Sequence, residues 1–125
     1  MLGDKDAAAN IAVKELARAS KFYADTLGLT PVDAEGEELI VFRSGKSTIN
    51  VYQSRYAGTN QATAVTWVVG DGLEDVVRTL KNKGVKFERY DMPDMNRDGD
   101  IYVAGDMKVA WFKDPDGNIL NIVNR

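Results

Sequence analysis

Val109-Ala110-Trp111-Phe112-Lys113-Asp114-Pro115-Asp116-Gly117-Asn118-Ile119-Leu120-Asn121-Ile122-Val123 reads as two apolar runs folded back on each other. Pro115 suits the position of a type I turn that needs φ near −65°, and Gly117 suits the left-handed position that follows, so a β-hairpin is expected near the C-terminal end of this sequence. Side chains alternate along a strand with period two. Ile119, Asn121 and Val123 therefore share one face, and Leu120 and Ile122 the other. Asn121 is an amide in an otherwise apolar strand, and needs water, a partner or a ligand.

Outward from the hairpin, the chain has the size of one domain. Its 125 residues are enough to bury a core without covalent staples. The net charge of −3 and the absence of any basic run argue against nucleic acid and anionic membrane as partners. With no Cys and no His, disulfides, thiolate or imidazole ligands, cysteine nucleophiles and His general bases are excluded. No apolar run approaches the roughly 20 residues of a membrane span, and Met1 to Asp6 does not resemble a signal peptide. A cytoplasmic protein is expected.

The pattern before the hairpin falls into two similar halves. Ala7 to Val13 reads as a strand, and Leu16 to Leu27 as a helix stopped by Gly28. Thr30 to Asp33, Glu38 to Arg43 and Thr48 to Gln53 read as three strands separated by turns at Gly36 and Ser44-Gly45. After a polar linker at Gly58 to Gln61 come strand Ala64 to Val69, helix Leu73 to Lys83, a stop at Gly84 and strand Val85 to Tyr90. Asp71 and Glu74 resemble a capping box at the start of the second helix, whose stripe is Leu73, Val76, Val77 and Leu80. A loop from Asp91 to about Asp100 leads to the last strands. Ala8 with Ala64, Val13 with Val69, Glu15 with Asp71, Gly28 with Gly84 and Leu29 with Val85 are all 56 positions apart. Asn50 with Asn121, Ile49 with Leu120 and Val51 with Ile122 are 71 apart, the difference being absorbed by the longer Asp91 to Gly105 region. Five pairs at one offset describe an internal repeat. The expected fold is α+β, one domain built of two βαβββ modules at about 7–57 and 62–125.

Two such modules, Phe22-Tyr23 ahead of Leu27-Gly28-Leu29, and the Phe112-x-Asp-Pro-Asp-Gly-Asn118 hairpin resemble the vicinal oxygen chelate superfamily, which includes glyoxalase I, extradiol dioxygenases, fosfomycin-resistance enzymes and bleomycin-resistance proteins. Tyr90-Asp91-Met92-Pro93 ahead of Ala110 to Pro115 is similar to small glyoxalase-like members. The resemblance covers nearly the whole chain and implies a mixed sheet curved into a cup. It also implies a divalent metal in that cup, with ligands at the places of Ala8, Asn50, Ala64 and Asn121. Metal sites of this kind need imidazole or carboxylate donors, and two methyl groups with two neutral amides supply neither. Neither a metal site nor another cofactor is expected, and with them goes the basis for metal-dependent activity.

Strand parity then places Ala8, Asn10, Ala12, Asn50, Tyr52, Ala64, Thr66, Asn121 and Val123 on the face where the metal would sit. Ile11, Val13, Ile49, Val51, Val65, Trp67, Leu120 and Ile122 fall on the helix side. The first set is small or polar and the second bulky and apolar, as for a sheet with one packed and one wet face. A merely solvated face is the plain alternative to a pocket. The expected ligand-binding residues are Asn10, Asn50, Tyr52, Thr66, Trp111 and Asn121, with Trp111 at a place where family members put a ligand-facing aromatic residue. The ligand would be a small aromatic or amphipathic molecule. The competing reading is a lyase, isomerase or dioxygenase relative using a carboxylate elsewhere, for which Glu37, Glu38, Asp91, Asp100 and Asp106 lie near strand ends with nothing to select one. The resemblance further implies a homodimer. Asp94-x-Asn96-x-Asp98-Gly99-Asp100 resembles the start of a calcium loop, but its twelfth place is Gly105 instead of a bidentate Glu, so a polar turn is expected. Met92, Met95 and Met107 near it read as gap fillers or as an apolar lid over a ligand.

Overall fold

The structure, a computed structural model, describes residues 1–36 and 38–125, with Glu35 described by its backbone. Two compact units succeed each other along the chain, Met1–Ala57 and Gly58–Arg125. Each holds one mixed sheet and one α-helix, which makes the fold α+β.

The first unit runs β1 (Ala9–Val13), α1 (Leu16–Lys21), a π-helical turn (Phe22–Thr26), β2 (Thr30–Glu35), β3 (Leu39–Ser44) and β4 (Ser47–Gln53). Its sheet has the order β1-β4-β3-β2, with β1 parallel to β4 and the other pairs antiparallel. Alternation sorts the side chains: Ile11, Val13, Ile49 and Val51 are buried, while Asn10, Asn50 and Tyr52 point to the other face. Ala19 and Tyr23, one helical turn apart, bury against the first face, where the Tyr23 ring lies 6.1 Å from Phe42. The helix has the expected extent but not a uniform winding. Its second half opens to a π turn in which the Leu27 N–H donates to the Phe22 carbonyl at 3.0 Å, before Gly28 ends it. Strand β1 begins at Ala9, so Ala8 lies ahead of it, outside the ladder.

The second unit runs β5 (Thr63–Val68), a 3₁₀ turn (Gly70–Gly72), α2 (Leu73–Asn82), β6 (Phe87–Glu88), β7 (Asn96–Asp98), β8 (Ile101–Ala104), β9 (Met107–Lys113) and β10 (Ile119–Val123). The sheet order is β5-β10-β9-β8-β7, and β6 takes the remaining stretch of the β9 edge. Three expectations are corrected. The strand expected over Val85 to Tyr90 shrinks to Phe87–Glu88, which pairs with Phe112 and Trp111 on the part of β9 beyond the stretch that β8 takes. The loop expected from Asp91 to Asp100 contains β7, which turns back through Gly99 onto β8. The capping box does not form: the first helical turn has no side-chain cap, and the Glu74 carboxylate instead accepts from Lys108 Nζ at 2.7 Å. That bond holds the Glu74 carboxyl below its usual range and raises the Lys108 ammonium above its own.

The hairpin turn is built around Asp114, buried to 5% exposure. Its carboxylate accepts the backbone N–H groups of Asp116 and Asn118, both at 2.9 Å, and the Asn118 side-chain amide at 2.8 Å. Three donors thus satisfy a charge that burial would otherwise destabilise. Gly117 takes φ +91°, as the turn requires. None of the described helices is long and apolar enough to cross a membrane.

Candidate functional site

The registers of the second sheet line up one transverse row. Glu88 on β6 pairs with Trp111 on β9, Trp111 with Asn121 on β10, and Asn121 with Thr66 on β5. Residues opposite each other in a ladder project to the same face, so carboxylate, indole, amide and hydroxyl stand in sequence across four strands. Phe112, Leu120, Ile122 and Trp67 occupy the opposite face, where the Trp67 ring stacks on Phe112 at 6.5 Å and 22°. The β9–β10 register is regular from the turn onward. The irregularity lies instead in β5, where Ile119 opposes Thr63 and Leu120 opposes Val65, leaving Ala64 as the extra residue of a bulge.

Trp111 is held on three sides. Its indole N–H donates to Thr63 Oγ1 at 3.2 Å, and the rings of Tyr90 and Tyr102 stand steeply inclined to it, in T-shaped pairs with centroids 5.5 and 5.4 Å away. Tyr102 is itself buried, and its hydroxyl donates to the Tyr90 carbonyl at 2.8 Å while accepting the Tyr90 N–H. Burial first, and the nearby Glu88 carboxylate after it, push the Tyr90 phenol above its ordinary value. Met92, Met95 and Met107 pack with Trp111 against Tyr102, Val109 and Val123. Asn121 is 8% exposed, and its side-chain oxygen is buried with no hydrogen-bond partner among the described residues.

In the first unit Asn10 and Asn50 are register partners in the parallel pair, and Asn50 Nδ2 donates to Asn10 Oδ1 at 3.2 Å. Tyr52, two residues along the same strand face, is 38% exposed. Thus Asn10, Asn50 and Tyr52 form one group, and Thr66, Asn121 and Trp111 the other. The repeat is visible here: Asn10 opposite Asn50 corresponds to Thr66 opposite Asn121. An open groove of about 740 Å³ in the first unit, lined by Leu16, Ser20, Ala24, Ile40 and Gln53 among others, lies on the opposite, helix-bearing face from Asn10 and Asn50.

Reading the sequence missed Thr63, Glu88 and Tyr102 as neighbours of Trp111. Glu88 enters only through a two-residue strand, too short for any alternation to show, and Thr63 joins the face only through the bulge. Of the carboxylates weighed as acid–base groups, Asp100 is clamped by Lys81 Nζ at 2.7 Å and Arg89 at 3.4 Å, and Asp106 is paired with Arg125. Glu38 and Asp91 are exposed, and Glu37 lies outside the described residues. Among the described residues no three His, Cys, Asp or Glu side chains gather as a metal cluster, the Asp94 to Asp100 stretch included. The metal places implied by resemblance carry Ala8 and Ala64 methyl groups, the Asn50 amide and the Asn121 amide, a donor set that does not fit a divalent cation of the kind imidazole and carboxylate hold.

Comparison with solved structures gives the same fold at low identity. A bleomycin resistance determinant encoded on the transposon Tn5 matches with a TM-score of 0.72 at 17% identity, covering 97% of this chain and 98% of that one. Lactoylglutathione lyase from Agrobacterium tumefaciens matches at 0.70 and 15%, covering 96% and 92%. A genomically encoded fosfomycin resistance protein from Listeria monocytogenes matches at 0.70 and 12%, covering 98% and 91%. No curated protein matches the sequence. The family model of the Glyoxalase/Bleomycin resistance protein/Dioxygenase superfamily matches residues 7–122. With that match over nearly its whole length, the chain belongs to this superfamily, the vicinal oxygen chelate group.

Proposed function

We propose that the protein binds a small aromatic or amphipathic molecule without a divalent metal, on the face of the second sheet that carries Trp111, Asn121 and Thr66. Asn10, Asn50 and Tyr52 are its counterparts on the first. The observation that carries this reading is the Asn121 side-chain oxygen, a buried acceptor with no partner among the described residues, set beside an indole. A buried acceptor left without a donor costs about 1–3 kcal/mol, so it marks a place where a ligand donor is favoured. The methionines packed around Trp111 are flexible thioethers that repack at little cost, which suits a surface that must admit a ligand.

The acid–base enzyme reading draws no comparable support, since Asp100 and Asp106 are engaged in ion pairs and nothing sets Glu38 or Asp91 against a reacting group. Native mass spectrometry of the purified protein tests the proposal. A small organic molecule retained at one per chain, with no stoichiometric metal after dialysis, is the expected result. Zn²⁺, Ni²⁺, Mn²⁺ or Fe²⁺ held through dialysis and lost in Asn121→Ala would overturn it.

A further inference from the structure

The row across the second sheet has a polarity of its own, and this inference rests on the binding face proposed above. On one side of Trp111 stands the Glu88 carboxylate, and on the other the unpartnered Asn121 oxygen, each one strand away in the ladder. Strands lie about 4.8 Å apart, so the two acceptors flank the indole at a separation of roughly 10 Å. Both groups flanking Trp111 in the row present hydrogen-bond acceptors, and neither is a cation. We propose that the ligand is an aromatic ammonium compound whose cationic end is taken by Glu88 while its ring lies against Trp111 and a donor on its far side reaches Asn121.

Two features support that direction of charge. The Glu88 side chain is only 30% exposed, so its charge is partly shielded from water, and it is the acid whose field reaches Tyr90 at the edge of the same indole. Aromatic rings gathered as Trp111, Tyr90 and Tyr102 are attract cations through their π faces. Against it stands Lys113 on the same strand face, whose ammonium lies 3.5 Å from Glu88. The pair is long, and its Lys113 end is 44% exposed, so it contributes little, and an ammonium carried by a ring already seated on Trp111 displaces Lys113 from Glu88. Lys113 itself opposes Ile119, one row away from Asn121, and does not sit between the two acceptors.

Tryptamine, tryptophol and indole-3-propionate form a set in which the ring is constant and the end group is cationic, neutral or anionic. Each is titrated into ¹⁵N-labelled protein while the indole N–H signal of Trp111, assigned through Trp111→Phe, is followed. The expected result is that tryptamine binds at least tenfold more tightly than tryptophol, with the propionate weakest. Glu88→Gln is expected to bring tryptamine down to the affinity of tryptophol and to leave tryptophol within twofold. Lys113→Gln is expected to tighten tryptamine severalfold. Equal affinity of all three with a moving Trp111 signal overturns the charge assignment and leaves the binding face standing. So does tightest binding by the propionate that disappears in Lys113→Gln. A Trp111 signal unmoved by any of the three overturns the face as well.

Discussion

Trp67 and Trp111 differ by which side of one sheet they reach, and the consequences of replacing them differ accordingly. Trp67 stacks on the fully buried Phe112, so Trp67→Ala removes packed area and leaves a void; chemical denaturation is expected to show a loss of about 3 kcal/mol, the lower end of the range for a large aromatic because Trp67 is only partly buried. Trp111→Phe keeps an aromatic ring but loses the bond to Thr63, and is expected to change stability by less than about 1 kcal/mol while abolishing ligand-induced fluorescence quenching. If quenching survives in Trp111→Phe and vanishes in Trp67→Phe, the ligand lies on the other face. Gly58 makes a separate point about backbone. It sits at φ +73°, and a Cβ there would lie 1.9 Å from the Asp116 carbonyl oxygen in the hairpin turn. Both the conformation and the approach exclude a side chain, so Gly58→Ala is expected to lower the melting temperature clearly, whereas Gly72→Ala, which meets nothing within 4 Å, is expected to leave it nearly unchanged. The helix side of Trp67 was legible from sequence because alternation within one strand depends only on neighbours two apart, whereas the place of Trp111 comes from the family resemblance. Glu88 was not legible, because its place beside Trp111 is set by a non-local pairing of two residues.

Between residues and the whole chain lie the elements, and here ion pairs fix what the apolar pattern leaves open. Lys81 near the end of α2 and Arg89 just after β6 both reach Asp100, which lies in the β7–β8 turn, so one carboxylate ties three segments together. Hydrogen bonding from Lys81 is the main cause that holds the Asp100 carboxyl below its usual range. A carboxyl whose folded value is depressed adds stability above its unfolded value, near 3.9, and loses it as pH falls through the lower folded value. Wild type is therefore expected to lose stability more steeply than Asp100→Asn as pH drops from about 5 to 3, and the two melting curves to converge at the acid end. Parallel curves over that interval would show the clamp to be without effect. The expected extents of α1 with its continuation, α2, β3, β4, β5 and β10 agree with the structure to within one or two residues at most ends, since each carries a helical stripe, an alternation or a short apolar run bounded by turn residues. The π turn in the first helix, the missing capping box and the β7 hairpin were not legible. Each depends on a competing partner, such as Lys108 for Glu74, that local sequence does not reveal.

At the scale of the molecule, β1 and β5 are each an edge strand of their unit's sheet among the described residues, as are β2 and β7. On β5 the side chains of Ala64, Thr66 and Val68 are exposed, and Val68, at 67%, is among the most exposed large apolar residues of the chain outside its first two. An apolar edge strand left open to water invites pairing, and closed assemblies with two-fold symmetry are the common way a chain covers such an edge with its own copy. A homodimer is therefore predicted, with β5 at or beside its interface. Sedimentation velocity at micromolar concentration is expected to give twice the 13.8 kDa chain mass, and Val68→Lys, which places a charge on that edge without touching the buried face, to shift the species toward 13.8 kDa. A wild-type protein that sediments at 13.8 kDa across that range refutes the assembly. A dimer indifferent to Val68→Lys places its interface away from the β5 edge, and Ala12→Lys then tests the β1 edge in the same way.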